Sequence, residues 1–395
     1  MFLCTDILNI ELNIFFKDED IMDAEFAVIG LGAMGSMSIW QLAQRKKSVI
    51  GFEQFGVGHD RSATGGESRL FRTAYKEGEK FVPLLLDSRK LWRELESASK
   101  NSLLELNGGL SIGFPESNLI KNTMKSIKKY RIDHEILNNK AAKKRFPQHK
   151  LLNQEVMILD KESGFLRPEL SVVSAVYRAK ELGAKIHTYE NIRSIKYDNE
   201  GVRILSNKKK YTVEKVLISA GPYIEQLLPQ YGDSIKVGKI VMSWFATKSI
   251  NKFNKLKYPI FIRENHNDKF FGTPTFDNSM VKIGLGEIYN KIENPMDLDN
   301  HVSIEELSKV KRIVSQYFNY LYSDPVRLSV HMDAYTPDNN PIIGKLLEQS
   351  NVVIAGGFSG HGFKMAPIMG KIASDLLIDD KTSYNINFLS PYRFF

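Results

Sequence analysis

Cysteine is nearly absent: the 395-residue chain has one, Cys4. That excludes an internal disulfide, a cysteine zinc site and a protein-bound iron–sulfur cluster, and it favours a reducing compartment. No apolar run approaches the roughly 18 residues that a membrane span needs. The eight histidines show no HxxxH or HExxH spacing, so no metal site is expected. Internal repeats and low-complexity linkers are also missing. Charge of one sign is in short supply: 54 Lys and Arg face 46 acidic residues, a surplus of eight. Spread over this length, such an excess suits small anions better than nucleic acid. Apolar residues at 43% and charged residues at 25% exclude a disordered or fibrous chain. At about 150 residues per domain, the length suggests two or three domains. The expectation is a cytoplasmic, enzyme-like protein, monomeric or a small homo-oligomer, with no membrane or nucleic-acid partner.

Residues 1–21 precede a second methionine, Met22, and lack both a basic leader and a small-residue cleavage site. They read as a loosely attached extension or the product of an unused upstream start. Organised sequence follows at once. AEFAVIG (24–30) is a short apolar run without helical period, as in a buried parallel strand. SMSIWQLAQRKK (36–47) reads as a helix and SVIGFE (48–53) as a second strand, which completes a βαβ unit. Residues 166–182 read as a helix with Pro168 in its first turn, where proline is tolerated. Strand-like segments with turns between them fill 184–221, and 233–300 is strand-rich again. Residues 304–322 carry helical spacing, and NVVIAGG (351–357) opens a final strand–turn–helix. The fold class expected is α/β: a discontinuous Rossmann-like cofactor domain (22–107, 163–232 and 325–395) with an inserted strand-rich α+β substrate domain (108–162 and 233–324).

Gly30-Leu-Gly32-Ala-Met-Gly35 follows a strand, opens a helix and has an acid, Glu53, 23 residues beyond its first glycine. In that setting Gly30 permits the tight turn and Gly32 lets the backbone approach a pyrophosphate. Gly35 lets helix and strand pack closely, and Glu53 can accept hydrogen bonds from a ribose. The helix N-terminus adds free N–H groups and partial positive charge. A second glycine cluster, Ala355-Gly-Gly-Phe-Ser-Gly-His-Gly-Phe-Lys364, lies between another strand and helix, and ISAGPY (218–223) ends a third strand in a small-residue turn. Three such turns in this order suit a long dinucleotide held at both ends and favour FAD over a nicotinamide.

On these segments the chain resembles the D-amino-acid oxidase superfamily of flavoproteins, in its branch of sarcosine and N-methyltryptophan oxidases. GGESRLFRTAYKEGEKFVPLLLDSRKLWRELE (65–96), GFLRPELSV (164–172) and GGFSGHGFK (356–364) carry the likeness, which runs from about Ala24 to the C-terminus. The resemblance implies that Arg69 sits beside the flavin, that Arg72 and Lys364 clamp a substrate carboxylate, and that Lys282 stands where dioxygen reacts. It extends the cofactor-binding set to Ala33, Met34, Gln54, Ser68, Ile192, Gly221, Ser359, Gly360, His361 and Gly362. A guanidinium fork matches a carboxylate, and an ammonium adds a point charge. A fixed cation can stabilise the negative charge that develops as dioxygen takes an electron. Read without the resemblance, Arg69 and Arg72 could be a surface pair, and Lys282 could point to solvent.

Departures from the family pattern matter as much. Its flavin-linking cysteine stands 33 residues before the C-terminal lysine, and the same count back from Lys364 reaches His331. The cysteinyl link is therefore absent. A histidyl link is chemically conceivable, and non-covalent FAD is the expectation. Gly286, Phe271 and Gly65 stand where relatives carry histidine, tyrosine and histidine, which puts sarcosine itself in doubt. The activity expected is oxidation of a secondary (N-methyl or cyclic) amino acid by FAD, giving an imine and hydrogen peroxide with dioxygen as acceptor. The rivals are a dehydrogenase passing electrons to a quinone or protein, and a flavin-binding subunit with little turnover.

Overall fold

The computed structural model describes residues 22–276, 279–286, 291–346 and 351–395; the segment 1–21, read above as an extension, lies outside them. Two large sheets and a small ribbon organise the chain. The first sheet has eight strands, and five run parallel in the order Val352–Gly356, Lys210–Ile218, Ala24–Ile29, Val49–Glu53, Lys185–Thr188. The three strands Ala24–Ile29, Val49–Glu53 and Val352–Gly356 are buried, near-continuous apolar runs because both faces are covered. One face packs on the helices Ala33–Gln44, Pro168–Glu181 and Ala366–Asp379, and Val82–Ser99 packs on the last two of these. The other face packs on the antiparallel meander Ile192–Asp198, Gly201–Ser206 and the first half of Lys210–Ile218. Pro168 occupies the first turn of its helix as read from sequence.

Nine strands form the second sheet, drawn from 109–113, 134–137, 156–160 and most of 236–335. One face carries a core of Phe245, Phe253, Tyr258, Phe261, Phe270 and Phe318 closed by the helix Ile304–Tyr317. Ser303 and Glu306 cap that helix reciprocally, which fixes its start. Its end falls earlier than the helical spacing over 304–322 suggests. Phe318 turns extended at φ −125° and ψ 141°, which ends the helix, and after Tyr320 in a left-handed φ of 67° Leu321 begins the long strand Leu321–Tyr335. That strand pairs antiparallel with Lys236–Thr247 from Leu321 to Tyr335, with register shifts on either side of Pro325, so the positions 324 and 325 lie within one strand.

A three-stranded ribbon, Arg69–Phe71, Gly164–Leu166 and Leu104–Glu105, connects the two sheets. It carries Arg69, with Arg72 immediately after, into the space between them.

Candidate functional site

That space is a cavity of about 790 Å³, within the range of small-molecule sites. At one end lies the glycine turn. Gly30 adopts φ +87°, and a Cβ there would stand 2.8 Å from the backbone of Ser219 and Ala220. Only glycine fits. A Cβ on Gly35 would overlap the carbonyl oxygen of Gly30, so Gly35 serves the packing of helix on strand and does not line the cavity. Gly32 differs: a Cβ there would point into open space, with only Thr64 Oγ1 within 4 Å, at 3.8 Å. The helix Ala33–Gln44 starts at this residue with no side-chain cap and no acid in its first turn. Its first N–H groups are left for an anion. Glu53 ends the second strand and accepts from the amides of Leu31 and Phe55, each at 3.0 Å. Its remaining lone pairs can take ribose hydroxyls. Ala33, Met34, Gln54, Ile192 and Gly221 line the same end. The free N–H groups, close backbone approach and acid at this end suit the nucleotide half of a dinucleotide.

The other end gathers the charged groups. Arg69 donates to the carbonyls of Ser68 (2.8 Å), Ala63 (2.7 Å) and Gly65 (2.5 Å), so three backbone oxygens hold its guanidinium rigidly. Arg72 is buried, and its Nη2 reaches both oxygens of Glu77 at 2.8 and 3.1 Å. Its Nε and Nη1 have no partner. A buried, half-used guanidinium fork is an open carboxylate site. Lys364 lies buried beside it. Ser88 Oγ and Trp92 Nε1, one turn apart on the helix Val82–Ser99, both donate to the Lys364 carbonyl at 2.7 and 3.0 Å. Its Nζ donates to the His361 carbonyl at 2.8 Å. Burial drives the Lys364 ammonium down to about 7, with Arg72 and Lys76 acting in the same direction and Glu77 opposing. Glu77 is held down at about 2; burial works against ionisation there, but Arg72, Lys76, His361 and Lys364 together outweigh it.

His361 donates Nε2–H to the Asn339 carbonyl (2.7 Å), which leaves Nδ1 to accept from Tyr75 Oη at 2.7 Å. Burial holds this ring neutral, at about 4. The turn that carries Ser359 and Gly360 is tied to Asp333, whose carboxylate accepts from the Gly360 amide at 2.9 Å. Burial raises the Asp333 carboxyl to about 6 against the pull of the Ala334 and Gly360 amides and Arg69.

Lys282 settles the question left by its strand. It is buried, not solvent-facing, and Nζ donates to the carbonyls of Gly66 (2.6 Å) and Ser68 (3.1 Å). Trp244 lies 5.5 Å away in a cation–π arrangement. Burial, with Arg69 adding to it, holds its pKa well below that of an ordinary lysine. Such an ammonium gains most when negative charge appears beside it. His331 faces the same region. Its Nε2 pairs with Ser329 Oγ at 2.9 Å, its Nδ1 has no partner, and burial with the nearby cations keeps it neutral at about 3. A Cβ on Gly65 would lie 3.1 Å from His331 Cε1. The missing side chain at 65 makes room for the imidazole at 331.

The structure therefore brings the residues singled out from sequence into the lining of one cavity, apart from Gly35 and Gly65, which lie just behind it. Sequence reasoning missed Glu77, Asp333 and Glu169. Glu169 Oε1 accepts the amides of Gly66 and Glu67 at 2.7 and 2.9 Å and fixes the loop before Arg69. Glu77 sits inside the quoted 65–96 segment, yet nothing in its spacing marks a partner five residues from Arg72.

Residues 25–376 match the family described as FAD dependent oxidoreductase. The chain is 30% identical over 370 residues to "Monomeric sarcosine oxidase" of Streptomyces avermitilis, covering 93% of this chain and 96% of that protein. It is 28% identical over 380 residues to "N-methyl-L-tryptophan oxidase" of Salmonella enteritidis, covering 94% and 98%. Among solved structures, NikD, described as an unusual amino acid oxidase, matches with a TM-score of 0.84 at 22% identity, covering 94% of this chain and 98% of that one. L-proline dehydrogenase from P. horikoshii matches with a TM-score of 0.80 at 24% identity and the same coverage. At those identities the likeness is one of fold.

Proposed function

The chain belongs to the FAD dependent oxidoreductase family, and from that premise we propose that it oxidises the amine of a secondary amino acid, N-methyl or cyclic, and uses dioxygen as acceptor. The observation that carries the reading is the open half of Arg72 beside Lys364, in the same cavity as a dinucleotide cradle. FAD when bound supplies the hydride acceptor for the carbon next to the amine and hands the electrons on, with hydrogen peroxide and an imine that water hydrolyses as products.

The residues divide the remaining work. Arg72 Nη1, with the Lys364 ammonium, fixes the substrate carboxylate and so the position of the reacting C–H bond. Tyr75, His361 and Asn339 form a neutral chain behind the clamp, so no group there competes for the carboxylate. The cavity's excess of cations favours the neutral over the protonated amine, the form able to lose hydride. Lys282, anchored by two carbonyls, holds positive charge ready for the electron transfer to dioxygen. Gly32, the helix N-terminus and Glu53 hold the cofactor's nucleotide half without a covalent bond. Acid precipitation should release the yellow colour, and colour retained by the polypeptide would place a bond at His331.

The test is anaerobic flavin bleaching by a panel of sarcosine, other N-methyl amino acids, proline-like cyclic amines and glycine. Bleaching by none of them refutes the amine reading. Bleaching followed by failure to reoxidise in air refutes dioxygen as acceptor and favours a quinone or protein instead.

A further inference from the structure

The cavity has a second wall, built by the face of the nine-stranded sheet that its own aromatic core leaves uncovered. Cross-strand pairing sets the composition of that face. Ile262 pairs with Phe271, Phe271 with Gly284, and Gly284 with Met242. Directly paired residues point to the same side of a sheet, so these four form one row across four strands. Two residues along each strand is the next row on the same face, which holds Lys282, Thr273 and Trp244. Apolar and cationic rows therefore lie side by side in one cavity.

Glycine at 284 makes the apolar row continuous. A Cβ there would overlap Phe271 Cζ and stand 2.9 Å from Met242 Sδ, so those two side chains close over the gap from either side. At Gly286, two residues on, the atoms nearest a Cβ position belong to Lys269, the closest at 3.2 Å. The middle of the wall is thus apolar. Among the described residues, the polar groups at its margins already have partners. Lys76 and Lys269 both reach Glu264 at 3.3 Å, and Thr273 Oγ1 lies 3.4 Å from Ser68 Oγ. A polar or charged substituent placed on Ile262, Phe271 and Met242 would lose its water and gain no partner.

We propose that this row is the specificity surface of the site and receives a bulky apolar group, aromatic, branched or cyclic, on the carbon that bears the substrate's amine. The inference rests on the amine-oxidase reading above and names its substrate class. An apolar pocket discriminates by about tenfold or more per group buried. The holoenzyme should therefore show kcat/KM for N-methylleucine or N-methylphenylalanine at least about tenfold above sarcosine, with N-methylaspartate below sarcosine. The N-methylleucine to sarcosine ratio should fall about tenfold in Phe271→Ala, or in Ile262→Thr should the first variant not fold. Sarcosine or N-methylaspartate matching the apolar substrates overturns the proposal, as does a ratio untouched by the variants. If no amine bleaches the flavin, the amine-oxidase reading fails by itself. The row is then read by titrating acetate and phenylacetate against the flavin spectrum: phenylacetate tighter by about tenfold supports it, and equal binding overturns it.

Discussion

Gly32→Ala separates the cofactor's needs from those of the fold. The backbone at Gly32 has φ −69° and ψ −155°, which alanine adopts without strain, and the new methyl would find only Thr64 Oγ1, at 3.8 Å. Without cofactor the variant should therefore be as stable as the parent or gain about 0.4–1 kcal/mol from a stiffer unfolded chain. With cofactor the same methyl stands where the backbone must approach the pyrophosphate. Lengthening one or two charge-assisted N–H contacts costs roughly 1.5–3 kcal/mol each, so FAD affinity should fall by about one to four orders of magnitude. Gly35→Ala makes the contrast: its methyl would overlap the Gly30 carbonyl oxygen and sit 2.6 Å from Ser219 Oγ, which should lower stability by 1–3 kcal/mol or more, FAD or not. The assays are FAD per chain in the purified protein and the melting midpoint of the FAD-free form. Parent-level FAD in Gly32→Ala, or a marked loss of FAD-free stability, would refute the placement of the pyrophosphate.

Three further outcomes follow from the charged end. Arg72→Lys keeps the charge and loses the fork, so a carboxylate inhibitor should bind about 1–3 kcal/mol more weakly while FAD content holds; unchanged inhibitor affinity would place the clamp elsewhere. Lys282→Met should slow reoxidation by air by about 10²–10³ while anaerobic reduction changes little, and stopped-flow measurement showing equal loss in both half-reactions would make Lys282 a shaping residue only. The free Lys364 ammonium loses its proton near pH 7, and only the protonated form attracts the ligand. Carboxylate affinity should therefore be full below about pH 7 and fall by up to tenfold per unit above it; a slope that persists between pH 7 and 9 in Lys364→Met would assign the titration to another group.

The nucleotide cradle was the most legible part of the site, because every feature of it is local. A strand, three glycines, a helix and an acid at fixed spacing lie within 24–53, and the structure realises each with backbone geometry that the residue types require. The strand-rich middle was legible as strands. Its order was not: Gly109–Gly113 pairs in parallel with Ile260–Glu264, about 150 residues away, and no local pattern encodes that partner. The clamp residues were named through family resemblance. Their physical context, such as Glu77 against Arg72 or Ser88 and Trp92 on the Lys364 carbonyl, became visible only once the chain was folded. The helix reading over 304–322 overran because aromatic and apolar residues continue past Tyr317 as Phe318, Tyr320 and Leu321, while the backbone already turns extended at Phe318 and left-handed at Tyr320 before the strand begins.

Charge in the cavity explains why such distant segments had to meet there. Arg69, Arg72, Lys282 and Lys364 share one cavity with Glu77 and Asp333, and Glu169 sits outside its lining on the Gly66 and Glu67 amides. Burial depresses Arg69, Lys282 and Lys364, and it raises Asp333, so the ligand-free cavity holds its charges at a cost. Each cation has backbone carbonyls or a single carboxylate as partner, which fixes its position without quenching its charge. On the proposed reading, a pyrophosphate at one end and a carboxylate at the other would supply negative charge, and the protonated Lys364 would gain when the carboxylate binds. The apolar row of Ile262, Phe271 and Met242 lies on the second wall of the cavity, where it adds no charge. Charge would then position the two ligands, and the substrate's side chain would be selected by shape and apolar contact.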